Sequence, residues 1–428
     1  MGGIRGTVTP PPYGCGVRLL HTSDWHLGRL FHRASLLDEQ ERALARLVEL
    51  VEDLGVEVVL IAGDLYDRAI PPADAVELFD RTLMQLQRLG ARVVAISGNH
   101  DSAVRVGYAD RLLEQLGVTV RGELARTGEP VVVAATDGGP PLHVYPIPYL
   151  DPLATAHHAG RHAPPGPAVE AEQLPFVEPQ VDEPAGGRRR FTHHDAMAWA
   201  MGRVRASVDA APGCRSVVVA HTFLTGGNPS ESERDLTVGH VEQVRLDVFD
   251  GIDYVALGHL HRRQGFDGGR VAYSGTPLRY SFSEAGSTPS VRVVDLDVDG
   301  GLRIDDVALG VGRGLHTLTG TLDELLTDAR HADVGDGWVR AVLTDRTLPL
   351  QAMARLQQRF PNAVELRHEP AGATASADDA LAAGEVRAAD PFDLTRRFLE
   401  EQRGVALDAE EHDVLAAALD AARAGSAS

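Results

Sequence analysis

A chain of 428 residues, 43% of them hydrophobic and 24% charged, has the makeup of a soluble globular protein, and at roughly 150 residues per domain it should fold as two or three. Its two cysteines, Cys15 and Cys214, lie far apart and outside any CxxC pattern, which excludes a disulfide framework and a Cys-based zinc site and points to the cytoplasm. The net charge of −20, with all 41 basic residues arginine, excludes a generally basic field for holding nucleic acid, so any polyanion must be met by local arginines or by metal ions.

Residues 1–16 lack the apolar core of a signal peptide and read as a disordered extension, with the biological start expected at Val17. The stretch VRLLHTSD (17–24) predicts a strand, 36–54 a helix, VEVVLIAGD (56–64) a buried strand, 73–89 a second helix, and RVVAISGNHD (92–101) another strand. Strands at 215–222, 254–259 and 271–277 continue the series, and such alternation indicates an α/β domain over 17–286. Within it, 151–190 is rich in Pro, Gly and Ala, ends in Arg188, Arg189 and Arg190, and reads as a solvated surface insertion.

After about Ser287 the pattern changes. SVRVVDLDV and GLRIDDVAL predict a hairpin around Asp299-Gly300-Gly301, followed by a strand (338–344), a helix (350–360) and a strand (364–368). The span 287–369 is therefore expected to form a small α+β domain. Residues 370–389 read as a linker, and 390–425 as a pair of short helices. Asp390-Pro391 caps the first of these, and Asp408 with Glu411 the second. Helices this short need a partner surface for their apolar stripe. No apolar run approaches the roughly 18 residues needed to span a bilayer.

Metal-ligand residue types gather in five places, each at the C-terminal end of a predicted strand: Asp24 with His26, Asp64 with Asp67 and Arg68, Asn99 with His100 and Asp101, His221, and His259 with His261. Ligands bind at such strand ends in open α/β sheets. Taken singly, each cluster has an ordinary reading: a helix-capping loop, a turn, a satisfied core histidine. Together they point to a metal site. A D-x-H pair can aim both side chains at one ion, Asp64 is placed to bridge two, and His259 and His261 can serve one ion each.

The order D-x-H, GD-x-x-D, GNHD, H, GH-x-H resembles that of the calcineurin-like metallophosphoesterases. The stretches LLHTSDWHLGR, VVLIAGDLYDR, ISGNHDS, ALGHLHR and YSGTPLRYSFSE are similar to the branch of SbcD-type nucleases that act in double-strand-break repair. The resemblance is specific over about 17–150 and 215–285. It implies a two-sheet sandwich flanked by helices, with a smaller α+β capping domain and a C-terminal helical pair. It implies one ion on Asp24, His26, Asp64 and His261 and another on Asp64, Asn99, His221 and His259. The mixed nitrogen and oxygen set suits Mn, Fe or Zn better than Mg or Ca, and the family favours two Mn²⁺. Two such ions lower the pKa of a bridging water from 15.7 to about 7.

The resemblance also makes His100 the group that protonates or stabilises the leaving oxygen, with the Asp67 carboxylate orienting it. Arg68 either contacts phosphate or pairs with a nearby acid. The implied function is a metal-dependent DNA exonuclease and endonuclease, a homodimer within a heterotetramer, whose residues 390–425 dock on an SbcC-type ATPase subunit. Those helices could instead pack on the chain's own second domain. A small-molecule phosphodiesterase or phosphatase is the competing enzyme, and an interaction scaffold with a degenerate site the non-enzymatic reading. No ligand position is missing, which counts against the scaffold.

Overall fold

The computed structural model describes residues 16–136, 138–162, 191–233 and 243–370, with isolated helical positions in the C-terminal tail. The expected extension before Gly16, the part of the insertion after His162, and nearly all of the linker and the 390–425 helices lie outside the described residues. The start of the insertion is not irregular, since Pro152–His162 is a helix. The chain divides into two compact units, Met1–Leu318 with Ala329–Ala341 and Gln357–Glu365, and Thr319–Asp328 with Val342–Leu356 and Leu366–Ser428.

The first unit is built on two six-stranded sheets. One runs in the order Leu302–Ala308, Ser290–Asp297, Gly16–Thr22, Val58–Ile61, Arg92–Ile96, Val118–Arg121. Its last four strands are parallel. The other runs Gln264–Phe266, Val271–Tyr273, Tyr254–Gly258, Arg215–His221, Leu142–Pro146, Val131–Val133, with its four middle strands parallel.

The inner strands are near-continuous apolar runs because both faces of each sheet are covered there. Alternate residues divide between the faces. Leu19, Leu60 and Val94 pack inward with Val144, Val217, Val219 and Ala256 of the opposite sheet. Leu20, Val59, Ile61 and Val93 face outward beneath the helices Leu37–Leu54 and Ala73–Arg88. The first helix presents Leu44, Leu47, Val51 and Leu54, at helical spacing, to that layer, and stops at Gly55, whose φ of 61° makes a left-handed C-cap. Leu60 is fully buried. Leu60→Ala should cost about 2–5 kcal/mol, read as a shift in the denaturation midpoint.

Two features depart from expectation. The helix His193–Asp209, capped by a reciprocal Thr192–Asp195 box, covers the second sheet with Ala196, Met197, Ala200, Met201 and Val204. The hairpin 290–308 does not open a second domain at 287. Its first strand pairs antiparallel with Gly16–Thr22, Leu19 opposite Val294, because Val291, Val293, Val294 and Leu296 are needed to close the two core layers.

Further along, the strands Leu315–Gly320, Trp338–Leu343 and Ala363–His368 make a three-stranded sheet, with helices Leu322–Thr327 and Ala352–Arg359. No helix among the described residues is long and apolar enough to cross a membrane.

Candidate metal centre

Four of the five clusters sit on loops that leave the C-terminal ends of parallel strands, and His221 is the last residue of another. The loop after Gly16–Thr22 is laced to the loop after Val58–Ile61 by main-chain bonds from Asp24 N to Gly63 O (3.0 Å), His26 N to Asp64 O (2.9 Å) and Leu27 N to Leu65 O (3.0 Å). This lacing puts the side chains of Asp24, His26 and Asp64 on one spot. It requires φ values of 54°, 44° and 46° at those three residues, and His259 adopts 107°. Such left-handed backbone is costly for residues with a Cβ and clusters at functional sites.

Gly98 brings in the third loop. A Cβ there would lie 2.1 Å from Asp64 Oδ1 and 2.3 Å from Asp64 N, so Gly98→Ala should displace Asp64. The expected result is loss of bound metal in elemental analysis from a protein that still folds.

Three sets of metal-ligating side chains converge among the described residues, each with its donor atoms within 4.8 Å of one another: Asp24, His26 and His261; Asp24, Asp64 and His221; and His26, Asp67 and His100. Asp64 Oδ2 stands 3.7 Å from His26 Nε2 and 3.5 Å from His221 Nε2, between the first two sets. Asn99 Oδ1 is 2.8 Å from His221 Nε2 and 3.2 Å from His259 Nδ1. The structure thus brings together all seven residues that the motif order picks out as ligands.

The donor set fits cations. His221 Nδ1 lies 2.9 Å from Ala62 O and donates to it, which turns Nε2 toward Asn99 Oδ1 at 2.8 Å, two atoms that can both ligate one cation. His26 Nε2 is 3.1 Å from His261 Nε2, close enough for both rings to face one ion. His26 Nδ1 and Asn99 Nδ2 are buried without hydrogen-bond partners.

Electrostatics agree at two of the histidines. Burial, then the neighbouring imidazole of His261, holds the His26 pKa well below its usual range, and burial with His221 does the same to His259. Both are therefore neutral, as a metal requires. Burial raises the Asp24 carboxyl against the pull of His221 and His261. For His261 burial acts downward, but Glu284, Asp24 and Glu233 prevail and raise it.

The Asp67 expectation needs correction. His100 Nδ1 is 2.9 Å from the main-chain carbonyl of Asp67, so that carbonyl, and not the carboxylate, orients the ring. The carboxylate is turned aside by Arg29 Nη1 at 3.4 Å and faces His26 Nδ1 at 3.9 Å. Asp67→Asn keeps the carbonyl and should cost about tenfold or less in turnover, far below the effect of removing His100. Arg68 is exposed, and it forms no ion pair with a nearby acid among the described residues.

Several residues around the site have no role assigned by the sequence alone. Arg29 stacks over Tyr280, 5.0 Å to the ring centre, and donates to Ser232 O. Asp101 accepts from the main-chain N–H groups of Leu65, Tyr66 and Gly98 at 2.8–3.0 Å, tying two ligand loops together. Burial and then the nearby Asp64 push its carboxyl up to about 7 despite those donors. Ser232 and Glu284 stand behind His261. The one signal for Asp101 was its place in GNHD. The others show only in the fold.

Several solved structures share a loose likeness. A Thermus thermophilus protein, TT1561, is 14% identical, with 68% of this chain and 99% of that one covered and a TM-score of 0.36. A dimetal phosphatase from Danio rerio is 12% identical, with 69% and 97% covered and a TM-score of 0.39. GAP50, the anchor in the inner membrane complex of Plasmodium, is 10% identical, with 83% and 98% covered and a TM-score of 0.38. Two family models match the sequence itself. The SbcD_C model, described as the type 5 capsule protein repressor C-terminal domain, matches residues 311–403. The calcineurin-like phosphoesterase model matches residues 17–263, a span that holds every candidate ligand and more than half the chain, and by that match the chain belongs to the calcineurin-like phosphoesterases, a family of divalent-metal-dependent hydrolases.

Proposed function

We propose that the chain is a Mn²⁺-dependent DNA nuclease, acting as exonuclease on double-stranded ends and endonuclease on single strands or hairpins. The observation that carries this reading is the pairing of a full two-metal ligand set with a C-terminal region matching the SbcD_C model, since a small-ester hydrolase has no need of that second region. In the proposed assignment Asp24, His26, Asp64 and His261 hold one ion, and Asp64, Asn99, His221 and His259 the other. Ions bound there supply Lewis acidity toward the phosphoryl oxygens and a lowered pKa for the attacking water.

The protein's own contribution is proton delivery and placement. The Asp67 carbonyl retains the Nδ1 proton of His100, so in the imidazolium form Nε2–H is the donor left to the departing oxygen. Asp64 Oδ1 fixes this residue further by accepting from His100 N at 2.9 Å. Arg68, exposed at the rim, is assigned to the phosphate backbone.

The same reading gives a catalytic domain followed by a capping domain and the 390–425 helices, which dock on an SbcC-type ATPase in the cytoplasm. A homodimer within that heterotetramer is part of the same reading, and exposed apolar side chains such as Ile70, Val104 and Tyr108 are available to it. Purified protein with Mn²⁺ tests the activity on linear duplex DNA, closed circular DNA and bis-nitrophenyl phosphate. Cleavage of DNA is the expected result, and hydrolysis of the small ester alone would overturn the substrate. A chain ending at Ala389 should keep nuclease activity and fail to co-purify with the ATPase, and unchanged binding would remove the docking assignment.

A further inference from the structure

Glu284 is a buried carboxylate, 1% exposed, with no part in the reaction outlined above. Burying such a charge is expensive unless every lone pair is used. Its Oε1 receives the hydroxyls of Ser232, Ser230 (2.8 Å) and Ser281 (3.2 Å), and its Oε2 receives the N–H of Tyr280 at 2.8 Å. Ser232 Oγ is in turn bonded to His261 Nδ1. Glu284 Oε1 itself is 3.6 Å from that nitrogen, so the serine is the link.

We propose that Glu284, acting through Ser232, is the positioning residue that fixes the tautomer of His261 and so makes its Nε2 a metal ligand. The proposal rests on the two-metal reading. A carboxylate can only accept, so Ser232 must give its single proton to Glu284. Its oxygen can then only accept from His261, and Nδ1 has to carry the ring proton. The lone pair is left on Nε2, the atom that stands 3.1 Å from His26 Nε2 and in the set with Asp24. Direction is imposed at the carboxylate and passed along two hydrogen bonds. A group behind a ligating histidine commonly sets its tautomer and basicity in this way.

Glu284→Gln is the informative change because it keeps shape and volume. With the amide oxygen on the Tyr280 N–H, the amide nitrogen faces Ser232 and donates to it. The serine proton then turns to His261 Nδ1, and the ring proton is driven to Nε2, where it blocks ligation. Ser232→Ala removes the link while leaving Glu284 its bonds from Tyr280 and Ser230.

The test is calorimetric titration of the metal-free full chain with Mn²⁺, together with the visible absorption of its Co²⁺ form. Wild type should take two ions. Glu284→Gln should bind one of them about 10–100-fold more weakly and lose part of the Co²⁺ absorption, with the second ion and the metal-free melting temperature unchanged. Ser232→Ala should weaken the same ion, and it decides the matter if Glu284→Gln does not fold. Two ions bound with wild-type affinity by a folded variant would overturn the positioning role. A wild type that binds no ion would overturn the metal reading instead, and the two failures are distinct.

Discussion

Replacing His100 with alanine is expected to lower DNA cleavage by about 10²–10⁴-fold while both ions stay bound. His100 approaches the centre without belonging to either of the sets assigned to an ion. Its ring is tied back to the Asp67 carbonyl, and its Nε2 is 3.9 Å from Asp64 Oδ2. The loss should depend on the leaving group. A DNA sugar oxygen departs as a strong base and needs a proton, whereas a nitrophenolate does not, so the deficit should shrink on bis-nitrophenyl phosphate. An equal deficit on both substrates would assign His100 to stabilising the phosphoryl group. Loss of an ion on elemental analysis would make it a ligand, through the third set with His26 and Asp67.

Asp64→Asn should do more damage, with activity down by more than about 10³-fold and at least one ion lost. The carboxylate is the shared element of the centre. Oδ2 lies between His26 and His221, and Oδ1 accepts the N–H of His100. An amide there removes a negative charge from a space crowded with lone pairs. Metal content and single-turnover rates, measured together, separate this outcome from that for His100. Two ions retained at wild-type affinity would show that Asp64 is no bridge.

Much of the centre was legible because short-range order carries it. Continuous apolar strands end in D-x-H, GD or GNHD, and strand ends are where α/β sheets bind ligands, so the five clusters could be read in line, and the family resemblance singles out seven candidate ligands among them. What the line hides is anything produced by packing distant segments. The hairpin at 290–308 looked self-contained, yet its partner strand is 16–22, and nothing local records a pairing across that separation. Arg29, Ser232 and Glu284 are ordinary polar residues until the fold places them behind Asp67 and His261. Asp67 shows the same limit inside a motif, where the spacing located the residue but not which of its oxygens meets His100. T-x-x-D capping announces the start of the helix His193–Asp209, but its Ala- and Met-rich face lacks the strong apolar stripe that would mark the rest.

The candidate ligands are drawn from both layers of the sandwich: Asp24, His26, Asp64 and Asn99 follow strands of one sheet, and His221, His259 and His261 strands of the other. Ions gripped by both layers would be rivets as well as reagents. Mass action then sets how long the chain survives. Free ion at a hundred times its dissociation constant adds about 2.7 kcal/mol to the folded state of a single site, and that margin disappears on chelation. A cell short of the metal would on this account hold less of the protein, and not merely a slower form of it, because proteases would find the layers apart more often.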